Sequence, residues 1–184
     1  INSYNITVEG LKLENNRQGI LLVNTAHSQI TNNNITNNWA GVWLQCSSNN
    51  TVATNNIANH HYGVYFYSSS YNMVSENNIT NSPWYGVWLD HSHYNTIFRN
   101  SIRNNQNVHF YGSSYNIVSE NNITWGLYNI VLEESSSYYP SSFNIIYHNN
   151  FITTGYQTSI DRFCSNTWDD GYPSGGNYWS DYEE

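Results

Sequence analysis

Helix-forming residues are scarce in this sequence. Of its 184 residues only 4 are Ala, 8 Leu, 1 Met and 1 Lys, whereas 33 are Asn, 23 Ser and 17 Tyr. A chain with few helix formers and many turn-forming and aromatic residues favours strands and loops. This composition excludes helical bundles and folds in which helices alternate with parallel strands.

Long apolar runs and basic residues are also lacking. No run of about 20 apolar residues is present to span a membrane, and no charged-then-apolar leader marks a signal peptide, so we expect a soluble, mature segment. Five basic against 13 acidic residues give a net charge of −8, which argues against a nucleic-acid partner. The 16% of aromatic residues and the regularly spaced Ile and Val exclude a disordered chain.

An internal repeat runs along most of the chain. Segments of the type N-N-I-T recur, and the steps between Ile35, Ile57, Ile79, Ile102 and Ile123 are 22, 22, 23 and 21 residues. A G-V-x-L motif and a Y-N turn recur in the same phase. One such unit holds three short strands and cannot enclose a core alone, so the units must stack.

Stacking of these units predicts an all-β fold, a right-handed parallel β-helix of about seven coils. We assign residues 1–158 to the repeats and residues 159–184 to a C-terminal aromatic and Gly-rich cap. The recurring Ile, Val and Leu form inward columns. Two Asn columns are expected to form hydrogen-bonded ladders at the turns, because Asn tolerates left-handed backbone and its amide both donates and accepts. They comprise Asn50, Asn72, Asn95, Asn116 and Asn144, and Asn33, Asn55, Asn77, Asn100, Asn121 and Asn149.

The repeat resembles the NosD-like β-helix proteins, which belong with the wider class of carbohydrate-binding and sugar-hydrolase β-helices. The tail WDDGYPSGGNYWSDY (168–182) is similar to a segment that closes such repeats in many archaeal cell-surface proteins. The resemblance implies an extracellular or cell-surface protein, and the NosD relationship also suggests copper. The fold itself is shared by enzymes, adhesins and structural proteins, so it leaves the function open.

Acidic residues are too sparse for the usual chemistry of this fold. Hydrolases and lyases need clustered carboxylates, yet the chain has five Asp and only Asp90 falls within the coils. Arg99 stands just before its N-S-I segment, at the position that Glu76 and Glu120 occupy in the coils before and after it. We interpret these three residues as a surface charge ladder. We therefore predict no catalytic residues and no turnover of pectins, alginates or neutral polysaccharides.

Aromatic residues recur in register on the outward side of the G-V-x-L strand. A patch of this size exceeds what a soluble monomer normally exposes, and either sugar rings or a protein neighbour could cover it. Adjoining polar side chains could bind hydroxyl groups. The candidate binding residues are Trp39, Trp43, Tyr65, Tyr67, Trp84, Trp88, Asp90, His109 and Tyr111.

Two places offer metal-ligand chemistry. His91 and His93 share one turn and suit Cu²⁺ or Zn²⁺, whereas Asp169, Asp170 and Asp181 in the tail suit Ca²⁺. Solvated turn histidines and capping carboxylates explain both groups without a metal. We expect Cys46 and Cys164 to lie too far apart for a bridge within the chain. Five sequons offer glycosylation sites at Asn5, Asn34, Asn49, Asn78 and Asn122.

Three functions remain open. The first is a non-catalytic structural or interaction module of the cell surface, which associates with itself, head-to-tail or laterally, or with other surface proteins. The second is a carbohydrate-binding or carbohydrate-active module that uses the aromatic face and takes polysaccharide as its partner. The third is a copper-binding protein that uses the turn histidines.

Overall fold

The computed structural model describes residues 3–136, 139–152, 160–161 and 164–180. These residues form a parallel β-solenoid in which each coil contributes one strand to each of three sheets, and no helix occurs among them. Six coils carry full-length strands, and in a seventh the third strand is shortened to Ile160–Asp161. The predicted fold class is confirmed. The predicted boundary between residues 158 and 159 lies outside the described residues.

Strands of all three sheets pair in parallel with their counterparts in the next coil. The long-strand sheet consists of Gln18–Val23, Ala40–Gln45, Tyr62–Tyr67, Tyr85–Asp90, Gln106–Tyr111, Tyr128–Glu133 and Ile160–Asp161. The first short-strand sheet consists of Thr7–Glu9, Gln29–Thr31, Thr51–Ala53, Met73–Ser75, Thr96–Phe98, Ile117–Ser119 and Ile145–Tyr147. The second consists of Lys12–Glu14, Asn34–Thr36, Asn56–Ala58, Asn78–Thr80, Ser101–Arg103, Asn122–Thr124, Asn150–Ile152 and Tyr178–Trp179. Ser3–Tyr4 and Thr25–Ala26 form a separate pair.

The core is a narrow column of aliphatic and aromatic side chains. Ile35 pairs with Ile57, and Ile57 with Ile79, so identical side chains stack at the strand spacing. The predicted inward columns are confirmed, since Val42 and Leu44 and their equivalents in later coils are fully buried. Alternation along each short strand places one apolar residue inside and its two neighbours outside.

The Asn ladders are confirmed in both predicted columns. At Asn72 the main-chain N–H donates to Oδ1 of Asn95 at 2.8 Å, and Nδ2 donates to the carbonyl oxygen of Ser47 at 2.9 Å. Each amide thus bonds the coils on either side of it. The left-handed residue is the one that precedes the ladder Asn, such as Tyr71 with φ 60°, which differs from the prediction that the ladder Asn itself adopts this conformation.

Two further ladders were not predicted. A Ser ladder links Ser47, Ser69, Ser92, Ser113 and Ser141, each backbone N–H donating to the next hydroxyl. The second of these ladders links Asn16, Asn38 and His60, with a histidine in place of Asn in the third coil. Nδ1 of His60 accepts the N–H of Asn38 at 3.0 Å, and Nε2 lies 3.0 Å from the carbonyl oxygen of Ile35. This geometry requires a neutral ring protonated at Nε2.

The C-terminal segment covers the last coil by extending its ladders. Asn166 and Asn177 accept the N–H groups of Asn144 and Asn149 at 2.9 and 3.1 Å. The ring of Trp179 lies 4.3 Å from that of Phe151 and closes the end of the core, as Trp168 also does. The described part of the tail therefore continues the repeat by part of a coil, and the assignment of residues 159–184 as a cap stays a prediction.

Candidate functional site

The long-strand sheet carries a cluster of rings on its outer side, which we call the outer aromatic surface. It forms because the backbone departs from simple alternation at the second residue of each full-length strand, which is Gly in four of the six. A Cβ at Gly63 would lie 2.6 Å from Cγ2 of Ile79, so this position faces the core, as the following Val64 does. Tyr62 and Tyr65 therefore both face outward. The surface consists of Trp39, Trp43, Tyr62, Tyr65, Trp84, Tyr85, Trp88 and His109.

The rings of this surface pack closely against each other. Tyr65 stacks on Trp88 with centroids 4.5 Å apart, and Trp43 approaches Tyr65 from the other side at 5.2 Å. As a result Tyr65 and His109, which the sequence predicts on an exposed face, are each only 7% exposed. Trp84 and Tyr67 remain exposed, and Trp39, Trp43 and Trp88 are half-buried. The surface is thus a second small core with an accessible rim.

Two shallow grooves adjoin the rim and share Pro83. The first has a volume of about 460 Å³ and includes Trp39 and His61, and the second has a volume of about 340 Å³ and includes Trp84 and Trp88. Asn and Gln amides supply most of their polar groups. Neither groove contains a Lys or Arg side chain. This chemistry suits a neutral, hydroxyl-rich ligand.

Asp90 lies at the end of the surface and is held by two partners. One carboxylate oxygen accepts a hydrogen bond from the Tyr65 hydroxyl at 3.3 Å, and the other lies 2.5 Å from Nδ1 of His91. Burial, and secondarily the Asp90 carboxylate, raises the pKa of Tyr65, so this phenol stays protonated. The predicted role of Asp90 as a free acceptor for sugar hydroxyls is therefore limited by its own contacts.

His109 is the buried polar group of the surface. Its Nε2 lies 3.5 Å from a carboxylate oxygen of Glu133, whereas Nδ1 has no hydrogen-bond partner in the described part of the chain. Burial lowers the pKa of His109 to about 4. The imidazole is therefore neutral at physiological pH.

The candidate metal ligands have other partners. His91 contacts Asp90 and Ser135 through its two ring nitrogens, and Nδ1 of His93 accepts the N–H of Ser114 at 3.0 Å. In the tail, Oδ1 of Asp169 accepts the N–H of Gly171 at 2.9 Å, and Asp170 lies 3.6 Å from His148. Asp181 lies outside the described residues. Across the described ranges no three His, Cys, Asp or Glu side chains converge on one point.

The other polar candidates lie apart on the surface. Of the predicted charge ladder of Glu76, Arg99 and Glu120, the described residues show one ion pair, between Arg99 and Glu120 at 2.7 Å. No disulfide joins Cys46, which is exposed, to Cys164. All five sequon side chains are exposed. Asn34, Asn78 and Asn122 are the outward Asn of N-N-I-T motifs whose inward Asn forms the ladder, whereas Asn5 and Asn49 are left-handed turn residues.

A second aromatic strip follows the Y-N turns and was not singled out from the sequence. Tyr71 stacks on Tyr94 at 4.9 Å, Tyr94 on Tyr115 at 5.0 Å, and Tyr115 on Phe143 at 5.1 Å. All four rings are exposed. The recurring aromatic residue before the ladder Asn is the signal that predicts this strip.

The whole chain matches one known family. A family model described as a periplasmic copper-binding protein (NosD) covers residues 1–184. The chain belongs to the NosD family. A comparison with curated protein sequences finds no match for this NosD-family chain.

Solved structures with the same fold act on alginate. The A-module of the Azotobacter vinelandii mannuronan C-5 epimerase AlgE4 has a TM-score of 0.66 at 14% identity, over 91% of this chain and 58% of that module. A mutant form of the periplasmic alginate epimerase AlgG gives 0.67 at 16% identity, over 89% of this chain and 45% of AlgG. An alginate lyase from Paenibacillus sp. str. FPU-7 has a TM-score of 0.50 at 15% identity, over 88% of this chain and 74% of the lyase chain. At these identities the similarity shows the fold alone.

Copper, which the family description names, does not fit the described donors. Copper sites in proteins combine imidazole, thiolate or thioether ligands that converge on one position. Here both nitrogens of His91 are engaged, and Cys46 lies two coils from it in the same turn column. The described residues therefore offer no assembled copper site. No helix among the described residues is long and apolar enough to cross a membrane.

Proposed function

We propose that this chain is an extracytoplasmic module that binds neutral polysaccharide on the rim of the outer aromatic surface. The observation that carries the proposal is the accessible ring of Trp84 in the second groove, whose polar groups are mostly amides and which shares Pro83 with the first groove. Aromatic faces pack on the apolar faces of sugar rings, and amides bind their hydroxyl groups. The rigid stack of coils keeps these groups in fixed positions, which lowers the entropic cost of binding.

The charge of the chain selects among polysaccharides. Five basic against 13 acidic residues repel a polyuronate, and the grooves contain no cation to pair with carboxylates. The alginate enzymes that share the fold act on a polyanion. We therefore infer a neutral glycan for this chain.

An unpaired donor in the second groove supports a polar ligand. The indole Nε1 of Trp88 is buried and has no hydrogen-bond partner in the described residues. A buried donor without an acceptor costs about 1–3 kcal/mol. We expect a sugar hydroxyl bound in this groove to supply the missing acceptor.

Replacing Trp84 by alanine is expected to weaken binding of a neutral glucan or mannan at least about fivefold, since one stacked ring contributes on the order of 1–3 kcal/mol. Isothermal titration calorimetry with neutral oligosaccharides and with oligouronates measures the effect. Tyr115→Ala is the matched control, because Tyr115 is 47% exposed against 45% for Trp84 and lies on the other strip.

The control also separates the two aromatic strips. If Tyr115→Ala loses binding while Trp84→Ala retains it, the Y-N turn strip is the site and the proposal is wrong. Tighter binding of oligouronates than of neutral glycans would contradict the charge argument. Association of copies of the chain, head-to-tail or lateral, stays a prediction.

A further inference from the structure

A hydrogen-bonded chain of Asp, His and Ser lies beside the outer aromatic surface. Asp90 is the last residue of its long strand, and His91 follows it in the left-handed conformation with φ 48°. Nδ1 of His91 lies 2.5 Å from Oδ1 of Asp90, and Nε2 lies 3.1 Å from Oγ of Ser135. Ser135 is 44 residues further along the chain. The three side chains thus stand in the order and at the separations of a nucleophilic triad.

The intervening coil is shaped to allow this contact. The turn column that contains His91 also contains Gly112 one coil later, where the other coils carry side chains. A Cβ at Gly112 would lie 2.7 Å from Oγ of Ser135 and 3.4 Å from Nε2 of His91. The next ladder step, Asn116 to Asn144, is 28 residues instead of the usual 21 to 23. Glu133 pairs with Tyr111 and Ser141 with Ser113, so the extra residues lie between Glu133 and Ser141 and include Ser135. A missing side chain and a local insertion therefore bring Ser135 to His91.

Asp90 sets the protonation of the imidazole. A carboxylate this close to Nδ1 favours a proton on that nitrogen, so Nε2 of the neutral ring is left to accept from the Ser135 hydroxyl. The second oxygen of Asp90 accepts from Tyr65, which fixes the orientation of the carboxylate. The Asp90 side chain is 13% exposed and that of His91 is 40% exposed, so the base is oriented from inside and accessible from outside.

We propose that Ser135 and His91 are the catalytic residues of an acyl-ester hydrolase site, with Asp90 as positioning residue. Oγ of Ser135 attacks the ester carbonyl carbon while its proton passes to Nε2 of His91. The intermediate expels the alcohol, which takes that proton, and leaves an acyl-Ser135. Water then attacks the acyl carbon, gives a proton to His91, and Ser135 leaves with it as the carboxylic acid is released.

Tyr111 supplies a donor beside the nucleophile. Its hydroxyl lies 3.5 Å from the carbonyl oxygen of Ser135, and its ring packs edge-on to His91 with centroids 5.9 Å apart. A phenol at this place can turn to the oxyanion that develops on the ester carbonyl. The site goes beyond polysaccharide binding and does not depend on it, although an O-acylated glycan on the adjacent surface would present such esters.

The test combines a small ester with a serine-directed probe. The intact chain is expected to hydrolyse p-nitrophenyl acetate, and Ser135→Ala and His91→Ala are expected to lower kcat/KM at least about 100-fold. A fluorophosphonate is expected to label Ser135, as mapped by peptide mass spectrometry. Ser136→Ala and Cys46→Ala are the matched controls, because Ser136 is an adjacent exposed hydroxyl and Cys46 an exposed thiol. Both controls should stay within about twofold of the parent.

The positioning role of Asp90 has its own readout. Asp90→Asn should lower kcat with little change in KM, because the carboxylate does not touch the ester. Tyr111→Phe should lower kcat about 100-fold, as the loss of one oxyanion donor does. Full activity in Ser135→Ala, or labelling of another residue in place of Ser135, would overturn the proposal. Absence of both ester turnover and labelling would overturn it as well, whatever the glycan measurements show.

Discussion

Replacing Asn100 by alanine is expected to destabilise the solenoid by about 2–5 kcal/mol, because buried polar groups in the preceding coil lose their partner. Oδ1 of Asn100 accepts both the main-chain N–H and Nδ2 of Asn77, at 2.9 and 3.0 Å. Its Nδ2 donates to the carbonyl oxygen of Val74 at 2.9 Å. Alanine can replace none of these bonds, and the site is too buried for water to do so. Denaturant unfolding measures the loss.

Asn78→Ala is the matched control for this substitution. Asn78 lies on the outer face of the second short-strand sheet, where its Nδ2 donates to Oδ1 of exposed Asn56 at 2.9 Å. Water replaces that bond, so the expected change is within about 0.5 kcal/mol. Because repeats open locally, hydrogen exchange at the Asn77 amide should accelerate in Asn100→Ala before global unfolding. Equal destabilisation by the two substitutions would show that the ladder bonds contribute nothing beyond ordinary Asn contacts.

The ladder and the core were predictable because both follow directly from the repeat period. Because Ile57 pairs with Ile35 in the neighbouring coil, every other residue of the repeat also pairs with its equivalent one period away. The short strands alternate strictly, so an inward Ile sets its neighbours outward. The Ser ladder is visible in the same consensus, but a single hydroxyl at a turn carries a weaker signal than paired Asn.

The outer aromatic surface was predictable only in part. The inward–outward alternation of a regular strand places Trp43 and Trp88 outside. It predicts that Tyr62 points inward, because Val64 two residues later does so. The close approach of coils at Gly63, where a Cβ would lie 2.5 Å from the carbonyl oxygen of Gly86, shifts the backbone and reverses the side for Tyr62. The added ring of Tyr62 then stacks on Tyr65 at 5.5 Å and that of Tyr85 packs against His109 at 4.7 Å, which turns an exposed strip into a packed layer.

The contact between His91 and Ser135 could not be predicted from spacing. The two residues are separated by 44 positions and by an insertion whose path no periodicity specifies. The sequence shows that Gly112 stands in a column of larger residues. Only the folded structure shows that the absent side chain lets residues of the two neighbouring coils meet. Sites that depend on the break in a repeat are therefore the ones that repeat-based reasoning misses.

Acidification is expected to destabilise the fold through its buried histidines. Burial lowers the pKa of His109 to about 4, while an unfolded histidine has a pKa of about 6.5. Between these values the unfolded chain binds a proton that the folded chain does not, so stability is lost as the pH falls from about 6.5 to about 4. The loss from His109 alone is about 3 kcal/mol. Burial also lowers the pKa of His60, so this ladder residue contributes in the same direction.

Substitution separates these histidines from the carboxylates that titrate in the same range. His109→Leu should show a weaker dependence of the unfolding free energy on pH, and its stability relative to the parent should rise steadily from pH 7 to pH 4. Leucine also removes the buried Nδ1 that has no partner in the described residues, and Val131 already occupies the same column. His27→Gln, at an exposed turn, should leave the dependence unchanged. Parallel curves for the parent and His109→Leu would mean that His109 charges freely in the folded chain, with the Glu133 carboxylate at 3.5 Å compensating for its burial.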